Sequence, residues 1–360
     1  MPTVFFAFRD APERRAALHS PALLDRYRLF GLDEIHERGA DVRHNLERDR
    51  PPLWSRALGR VANTLVDMFG GYGGDFASAL ASLPVANSAD VVFATADTVG
   101  IPLLLLKRAG LVRPPVVYTP IGLPERFAQL PQQRVYAGAL RSARTIVTYS
   151  GAEAEWLRNW IGGGEVVFVP FGVDTDAFRP SGATPEVDVI SVGADPRRDF
   201  ELLKAVAVRH PELTFRIVAT KERIAALGEL PVHVSAESDV RLEEVRDRLA
   251  RARVVALPVR ANSYSGATTV LLQAMAMAKP VVVSRTDAIA DGYGLEDGVN
   301  CRLVEPGDAD AFERALLDAV SSPGDLGTRA RENVEHGFTW ERYIDALWDI
   351  LSRAWEREPS

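Results

Sequence analysis

One cysteine, Cys301, stands in 360 residues. It excludes an intramolecular disulfide and a zinc site built of cysteines alone. Its neighbours, Gly298, Val299 and Asn300 before and Arg302 and Leu303 after, read as a turn entering a strand, so a buried, inert thiol is expected. Such cysteine usage fits a reducing compartment, and the cytoplasm is favoured. Long apolar runs are missing too. The densest, residues 101–106, is stopped by Lys107 and Arg108, far short of the roughly 20 residues of a membrane span. The opening MPTVFFAFRDAPERR has no basic stretch before its apolar residues and is not expected to act as a signal peptide. There is no excess of positive charge: 42 Lys and Arg face 49 Asp and Glu, a net charge of -7, which argues against nucleic acid as a partner. The six histidines are scattered, and no H-E-x-x-H, G-x-S-x-G or cysteine-nucleophile signature occurs. Low-complexity tracts and short-period repeats are also lacking.

What the chain does have is ordinary globular composition and a length that predicts about two domains. Short apolar runs recur at 3–8, 40–44, 90–94, 115–119, 144–149 and 166–169, and again at 187–192, 214–219, 232–235, 254–257 and 281–283. Helical patterns lie between them. This alternation predicts α/β architecture with parallel, doubly wound sheets, whose ligands bind at the carboxyl ends of the strands. Residues 23–38 read as one helix, with Gly39 as its C-cap, and Ser150 is placed to cap a helix over 152–161. Residues 54–69 carry an apolar helical stripe beside Arg56 and Arg60. A core-packing helix is favoured for it over one that touches a membrane. The GGYGG at 70–74 follows no strand, so a connection between helices is favoured over a phosphate cradle. The predicted domains are 1–180 and 187–340, joined by a short linker, with a terminal helix over 341–360.

Residues 254–284, VVALPVRANSYSGATTVLLQAMAMAKPVVVS, organise the second half. A strand ends at Pro258, a polar loop follows, and Ser265, Gly266, Ala267, Thr268 and Thr269 lead into a helix that Pro280 ends. Free backbone N–H groups at the positive end of a helix bind phosphate. An ordinary capped turn of a βαβ unit reads the same way. In the other strand-end turn, residues 193–200, Arg197 and Arg198 read either as anion-binding cations or as a solvated turn beside Asp195 and Asp199. Lys221, just beyond the strand at 214–219, is either a further phosphate contact or a surface lysine.

Three segments resemble the retaining glycosyltransferases of family 4. Leu271, Leu272, Ala274, Met275, Ala276, Pro280, Val281 and Val282 match that family's donor-site helix, L-x-E-A-M-A-x-G-x-P-V-V. Residues 170–180 carry all the fixed letters of P-x-G-V-D-x-x-x-F-x-P, and residues 297–308 resemble D-G-V-N-G-x-L-V-x-P-G-D with Cys301 at a glycine position. The resemblance implies a GT-B fold: two Rossmann-like domains facing across a cleft, with a C-terminal helix crossing back to the first. It implies transfer of a sugar from a nucleotide-diphosphate-sugar to an acceptor hydroxyl with retention, by a front-face mechanism without protein nucleophile, metal or cofactor. The donor would be held by Arg197, Arg198, Lys221, Ser265, Gly266, Ala267, Thr268, Thr269 and Gln273. The first domain would hold a small-molecule, glycan or lipid-linked acceptor, with Asp97, Thr119 and Glu125 as candidates and peripheral membrane contact allowed.

The chain departs from the family pattern at telling places. Ser265 and Gln273 stand where the family has two glutamates, and Ala278 where it has glycine. Ala194 takes the place of an arginine, and Thr119 and Pro120 the place of a site histidine. These changes keep two other readings open: a non-catalytic GT-B scaffold, and a sugar-nucleotide epimerase on the same fold.

Overall fold

The computed structural model describes residues 1–20, 23–47, 50–127, 133–264 and 266–356. The chain divides into two compact units, Met1–Val169 with Ile344–Ser360, and Pro170–Tyr343. In the first unit, β1 (Thr3–Ala7), β2 (Asp41–His44), β3 (Val91–Ala94), β4 (Val116–Tyr118), β5 (Thr145–Thr148) and β6 (Glu165–Phe168) form one parallel sheet in the order β2-β1-β3-β4-β5-β6. In the second, β7 (Val187–Val192), β8 (Phe215–Val218), β9 (Val234–Glu237), β10 (Ala252–Leu257), β11 (Val281–Ser284) and β12 (Arg302–Val304) pair in parallel as β12-β11-β10-β7-β8-β9.

The central strands are apolar on both faces because helices cover both: every residue of β3, β5 and β11 is buried. Helix starts are fixed by side-chain caps where the sequence supplies them. Ser150 accepts from the Glu153 N–H at 3.2 Å, and Asp199 from Leu202 N–H at 3.3 Å. Gly162, at φ 62°, ends the helix Gly151–Ile161. In each sheet the strand order reverses once beside the first strand of the unit, between β1 and β3 and between β7 and β10. Loops leave those two strand ends in opposite directions, which opens a crevice above the sheet.

Residues 170–180 belong to the second unit. Val173 bridges Thr339, with Val173 N–H to Phe338 O and Trp340 N–H to Val173 O both 2.9 Å. A Cβ on Gly172 would stand 2.4 Å from Thr339 O, so only glycine allows the approach. Asp174 Oδ1 accepts the N–H groups of Asp176 and Ala177, both at 2.9 Å, which makes the turn. The last helix, Trp340–Trp355, starts in the second unit, and its residues from Ile344 on belong to the first.

Two expected helices differ. Residues 23–38 do not form one helix: a tight 3₁₀ segment, Leu23–Leu29, gives way at Phe30 (φ 52°) and Gly31 (φ 87°) to a short helix, Leu32–Glu37. The left-handed pair breaks the hydrogen-bond ladder. The helix Leu53–Met68 turns its large apolar residues to solvent, not to the core: Trp54 is 51% exposed, Leu58 54%, Val61 58% and Met68 72%. Its small residues face inward instead. A Cβ on buried Gly59 would lie 2.7 Å from the Ala77 nitrogen, a backbone approach that large side chains would forbid.

Candidate functional site

The crevice at the end of β7 and β10 is made of two loops that the chain itself ties together. Residues 193–199 leave β7 and residues 258–267 leave β10. Asp199 N–H donates to Pro258 O at 2.9 Å, and Arg260 N–H to Arg197 O at 2.8 Å. The Tyr264 hydroxyl donates to Asp195 Oδ1 at 2.8 Å, and the Arg197 N–H to the same oxygen at 2.7 Å. Gly266 is held so close that a Cβ would meet Asp195 Oδ2 at 2.7 Å. Arg223 Nη2 donates to Asp195 O at 3.0 Å from the start of the next crossover.

Arg198 lies beneath this junction. It is the largest fully buried side chain, 1% exposed, and not a solvated turn residue. Its Nη2 donates to Val192 O, and its Nε lies where a Cβ on Gly193 would be only 2.3 Å away. Glycine at 193 therefore leaves room for the guanidinium. Nε and Nη1 are buried and have no hydrogen-bond partner among the described residues. Burial pushes the guanidinium down to about 10, and the nearby Asp195 carboxylate pulls partly the other way. A buried cation with two unused donors is costly on its own and is relieved by an anion.

The helix Thr268–Ala276 begins at the same loops. Its N-cap residue, Ala267, gives no side-chain cap, and the buried Thr268 hydroxyl has no partner among the described residues. The first-turn N–H groups thus lack the usual side-chain acceptor. Gln273, five residues on, is 2% exposed. On the other side of Gly193 and Ala194 lies a cavity of about 420 Å³, with Val218, Thr220, Lys221 and Asp239 among its lining. Lys221 Nζ sits 2.6 Å from Asp239 Oδ2 at the exposed rim.

The structure thus brings Arg197, Arg198, Gly266, Ala267 and Thr268 to the ends of one strand pair, with Lys221 at the neighbouring strand end. Ser265 lies outside the described residues. In the first unit, Asp97 is buried and accepts from the Tyr118 hydroxyl at 2.6 Å and the Ile121 N–H at 3.2 Å, bracing the loop after β4. Thr119 is fully buried in that loop, its hydroxyl without a partner among the described residues. Glu125 falls in the helix Leu123–Phe127, and its side chain lies outside the described residues. A separate pocket of about 130 Å³ at the ends of β1 and β2 is lined by Asp10, Arg15, His44, Asn45 and Asp75.

Sequence reasoning missed Asp195, Tyr264 and Arg223 as parts of the crevice. Tyr264 is one residue before the candidate loop, and Asp195 sits inside the turn with Arg197 and Arg198. Their only signal was position at a strand end.

Comparison with known proteins bears on the same region. Residues 196–322 match the family profile described as "Glycosyl transferases group 1", a span that takes in both crevice loops beyond Asp195. An MMP alpha-(1->4)-mannosyltransferase of Mycolicibacterium hassiacum is 32% identical over 188 residues, which is 48% of this chain and 44% of that protein. The chain spans about half the length of the curated relatives it matches. Among solved structures, sucrose-phosphate synthase from Thermosynechococcus elongatus superposes with a TM-score of 0.73 at 16% identity, covering 98% of this chain and 99% of that one. Anabaena Alr3699/HepE in complex with UDP-glucose superposes with a TM-score of 0.70 at 18% identity, covering 98% and 100%. The fold is therefore that of the GT-B glycosyltransferases, with two Rossmann-like domains. The matched profile and both curated relatives carry glycosyltransferase names.

Proposed function

We propose that this chain is a retaining glycosyltransferase of family 4 type that uses a nucleotide-diphosphate-sugar. The observation that carries the proposal is Arg198: a buried guanidinium with two N–H-bearing atoms that have no partner among the described residues, in the loop that leaves β7 at the strand-order reversal. The names of the similar proteins add a sugar donor to this anion site. UDP-glucose is bound in the Anabaena structure, and the mycolicibacterial relative is a mannosyltransferase.

In this reading residues 187–340 bind the donor and residues 1–180 bind the acceptor, with the helix over 341–360 returning to the first domain. Arg198 and the N–H groups of Ala267, Thr268 and Thr269 hold the diphosphate, with Arg197 and Lys221 adding positive charge at the edges; the Gly266 N–H instead donates to Tyr264 O at 2.9 Å, and Gly266 serves by letting the loop pass close to Asp195. The Gln273 amide donates and accepts one hydrogen bond each to the ribose hydroxyls. As the anomeric C–O bond breaks, its electrons pass to the leaving phosphate oxygen. Positive charge and aligned N–H dipoles stabilise that oxygen as charge grows on it. The acceptor hydroxyl adds to the same face of the sugar, and its proton passes to the departing phosphate. Neither a protein nucleophile nor a metal ion is needed for this sequence of bonds. Asp97, Thr119 and Glu125 are the acceptor-side residues of the proposal. The chain works in the cytoplasm, where its one thiol, pushed up to about 12 by burial, stays inert.

The test is turnover. The protein is incubated with UDP-, GDP-, ADP- and TDP-sugars and a panel of acceptors, with and without a chelator, and the product is read by the anomeric coupling in its proton spectrum. Nucleotide release that needs an acceptor, survives chelation and keeps the donor's anomeric configuration supports the proposal. A converted sugar released without acceptor identifies an epimerase. The neutral Gln273 in a glutamate's place favours a second reading, a nucleotide-binding scaffold. Tight nucleotide binding with no turnover on any acceptor supports that one.

A further inference from the structure

The strand order of the first unit reverses between β1 and β3, and the loop that leaves β1 there carries arginines of its own. A strand end at such a reversal is where ligands of doubly wound sheets bind. Asn45 fixes the start of the loop: its Oδ1 accepts the Phe8 N–H and its Nδ2 donates to Phe8 O, both at 2.8 Å. Phe8 and Phe30 are buried. The Arg14 guanidinium lies against both rings, its Cζ 5.9 Å from the Phe8 centroid and 5.5 Å from that of Phe30. The rings hold the cation in place. Arg14 Nη1 donates to Arg9 O at 2.9 Å, which ties it to the first residue of the loop.

Carboxylates do not account for this cluster. Asp10 is engaged by Arg15 through both of its oxygens, at 2.7 and 3.0 Å. Neither Arg9, which is exposed, nor Arg14 forms an ion pair with a described residue. Arg14 Nε and Nη2 bond none either. Burial, then Arg9, then Arg28 push the Arg14 guanidinium below its ordinary value, and Glu13 opposes them least. Three guanidinium groups that repel one another are thus gathered at one strand end of a chain whose net charge is -7. The fold gains nothing from that repulsion, since an uncharged stem would pack against the same rings. An anion that bridges the three turns the repulsion into attraction. A phosphate ester brings nearly two negative charges and three outer oxygens to such a site, where a carboxylate brings one charge and two oxygens.

Resting on the reading in which residues 1–180 hold the acceptor, we propose that the acceptor carries a phosphate group, bound by Arg9, Arg14 and Arg28 at the end of β1. The phosphate takes no part in the transfer; it selects which acceptors are held. The full chain is titrated with inorganic phosphate and followed by phosphorus NMR. The variants are Arg9→Gln with Arg14→Met, Arg14→Lys, Arg9→Gln alone, and Arg198→Met, with circular dichroism and melting to verify folding. The double variant is expected to weaken one phosphate site about 10-fold or more. Arg14→Lys, which keeps the charge, weakens it less, and Arg198→Met leaves it as it is. Arg9→Gln changes an exposed side chain and should weaken the site about 3-fold, which keeps the test open if the double variant does not fold. Phosphate binding that is the same in the wild type and in the Arg9 and Arg14 variants overturns the proposal. In turnover, phosphate monoesters of sugars are set against the same sugars without phosphate. A preference for the esters, with KM raised in the double variant and nucleotide affinity kept, supports the proposal; equal use of esters and neutral sugars overturns it. Phosphate binding lost in the double variant, without turnover of any acceptor, counts against the transferase reading and not against the anion site.

Discussion

Replacing Arg198 by methionine separates an anion-binding arginine from a structural one. Methionine keeps the aliphatic stem of the side chain and removes the charged guanidinium. In the folded protein the guanidinium titrates at about 10 in place of its ordinary 12.5, because it is buried. At about 1.4 kcal/mol per pH unit, this disfavours the charged form by roughly 3 kcal/mol without ligand. The substitution removes that burden but also the Nη2 bond to Val192 O, worth about 1.5–3 kcal/mol for a charged donor. The two terms nearly cancel. Without ligand, Arg198→Met is therefore expected to melt at or slightly above the wild type, a result unusual for deleting the largest buried side chain. With a nucleoside diphosphate at about a hundred times its dissociation constant, the wild type gains about 2.7 kcal/mol, roughly 5–10 °C for a domain of this size, and the variant gains little. The order of the two melting curves thus changes on adding ligand. A variant several kcal/mol less stable without ligand would show that Arg198 is a brace for the β7 loop. A variant that keeps the full nucleotide response would place the anion elsewhere. Either result refutes the reasoning.

Other substitutions test neighbouring parts of the account. Ala278 ends its helix at φ 54°, a conformation that costs a non-glycine residue about 1–2 kcal/mol, so Ala278→Gly is expected to stabilise by about 0.5–1 kcal/mol after the added freedom of the unfolded chain, measured by urea unfolding. Gly266→Ala puts a methyl group 2.7 Å from Asp195 Oδ2 and must push the two loops apart; about 1–3 kcal/mol of stability and much of the nucleotide affinity should be lost, seen together in one melting series with ligand. His210 bonds Glu212 and Glu313, which raise its pKa above the ordinary value. The stability it adds is full below the unfolded value near 6.5 and is lost as pH climbs through the raised folded one, so His210→Gln should flatten the fall in melting temperature over that interval.

The strands were legible because buried parallel strands are short apolar runs, and every run named in the sequence corresponds to a strand of one of the two sheets. The Ser150 cap and the Asp174 turn were legible for a different reason: each is a contact within three residues. What failed had its cause far along the chain. Periodicity showed that residues 54–69 form an amphipathic helix but not which side faces inward, because that depends on Gly59 meeting Ala77. The burial of Arg198 follows from the adjacency of β7 and β10 and from the space left by Gly193, neither visible in a turn that reads D-P-R-R-D. Asp195 and Tyr264 meet across 69 positions, so their hydrogen bond had no local sign. The break at Gly31 belongs to the same class: a Cβ there would strike Ile344, which arrives from the last helix.

The central claim is that the crevice between the β7 and β10 loops holds the diphosphate of a sugar nucleotide. Isothermal titration of the wild type and Arg198→Met with UDP, GDP, ADP and TDP measures this without reference to acceptor or turnover. The account predicts one site per chain for one of the four nucleotides on the wild type, and a large loss of affinity for it in the variant. Equal affinity in the two proteins, or no binding of any of the four at millimolar concentration, would contradict it.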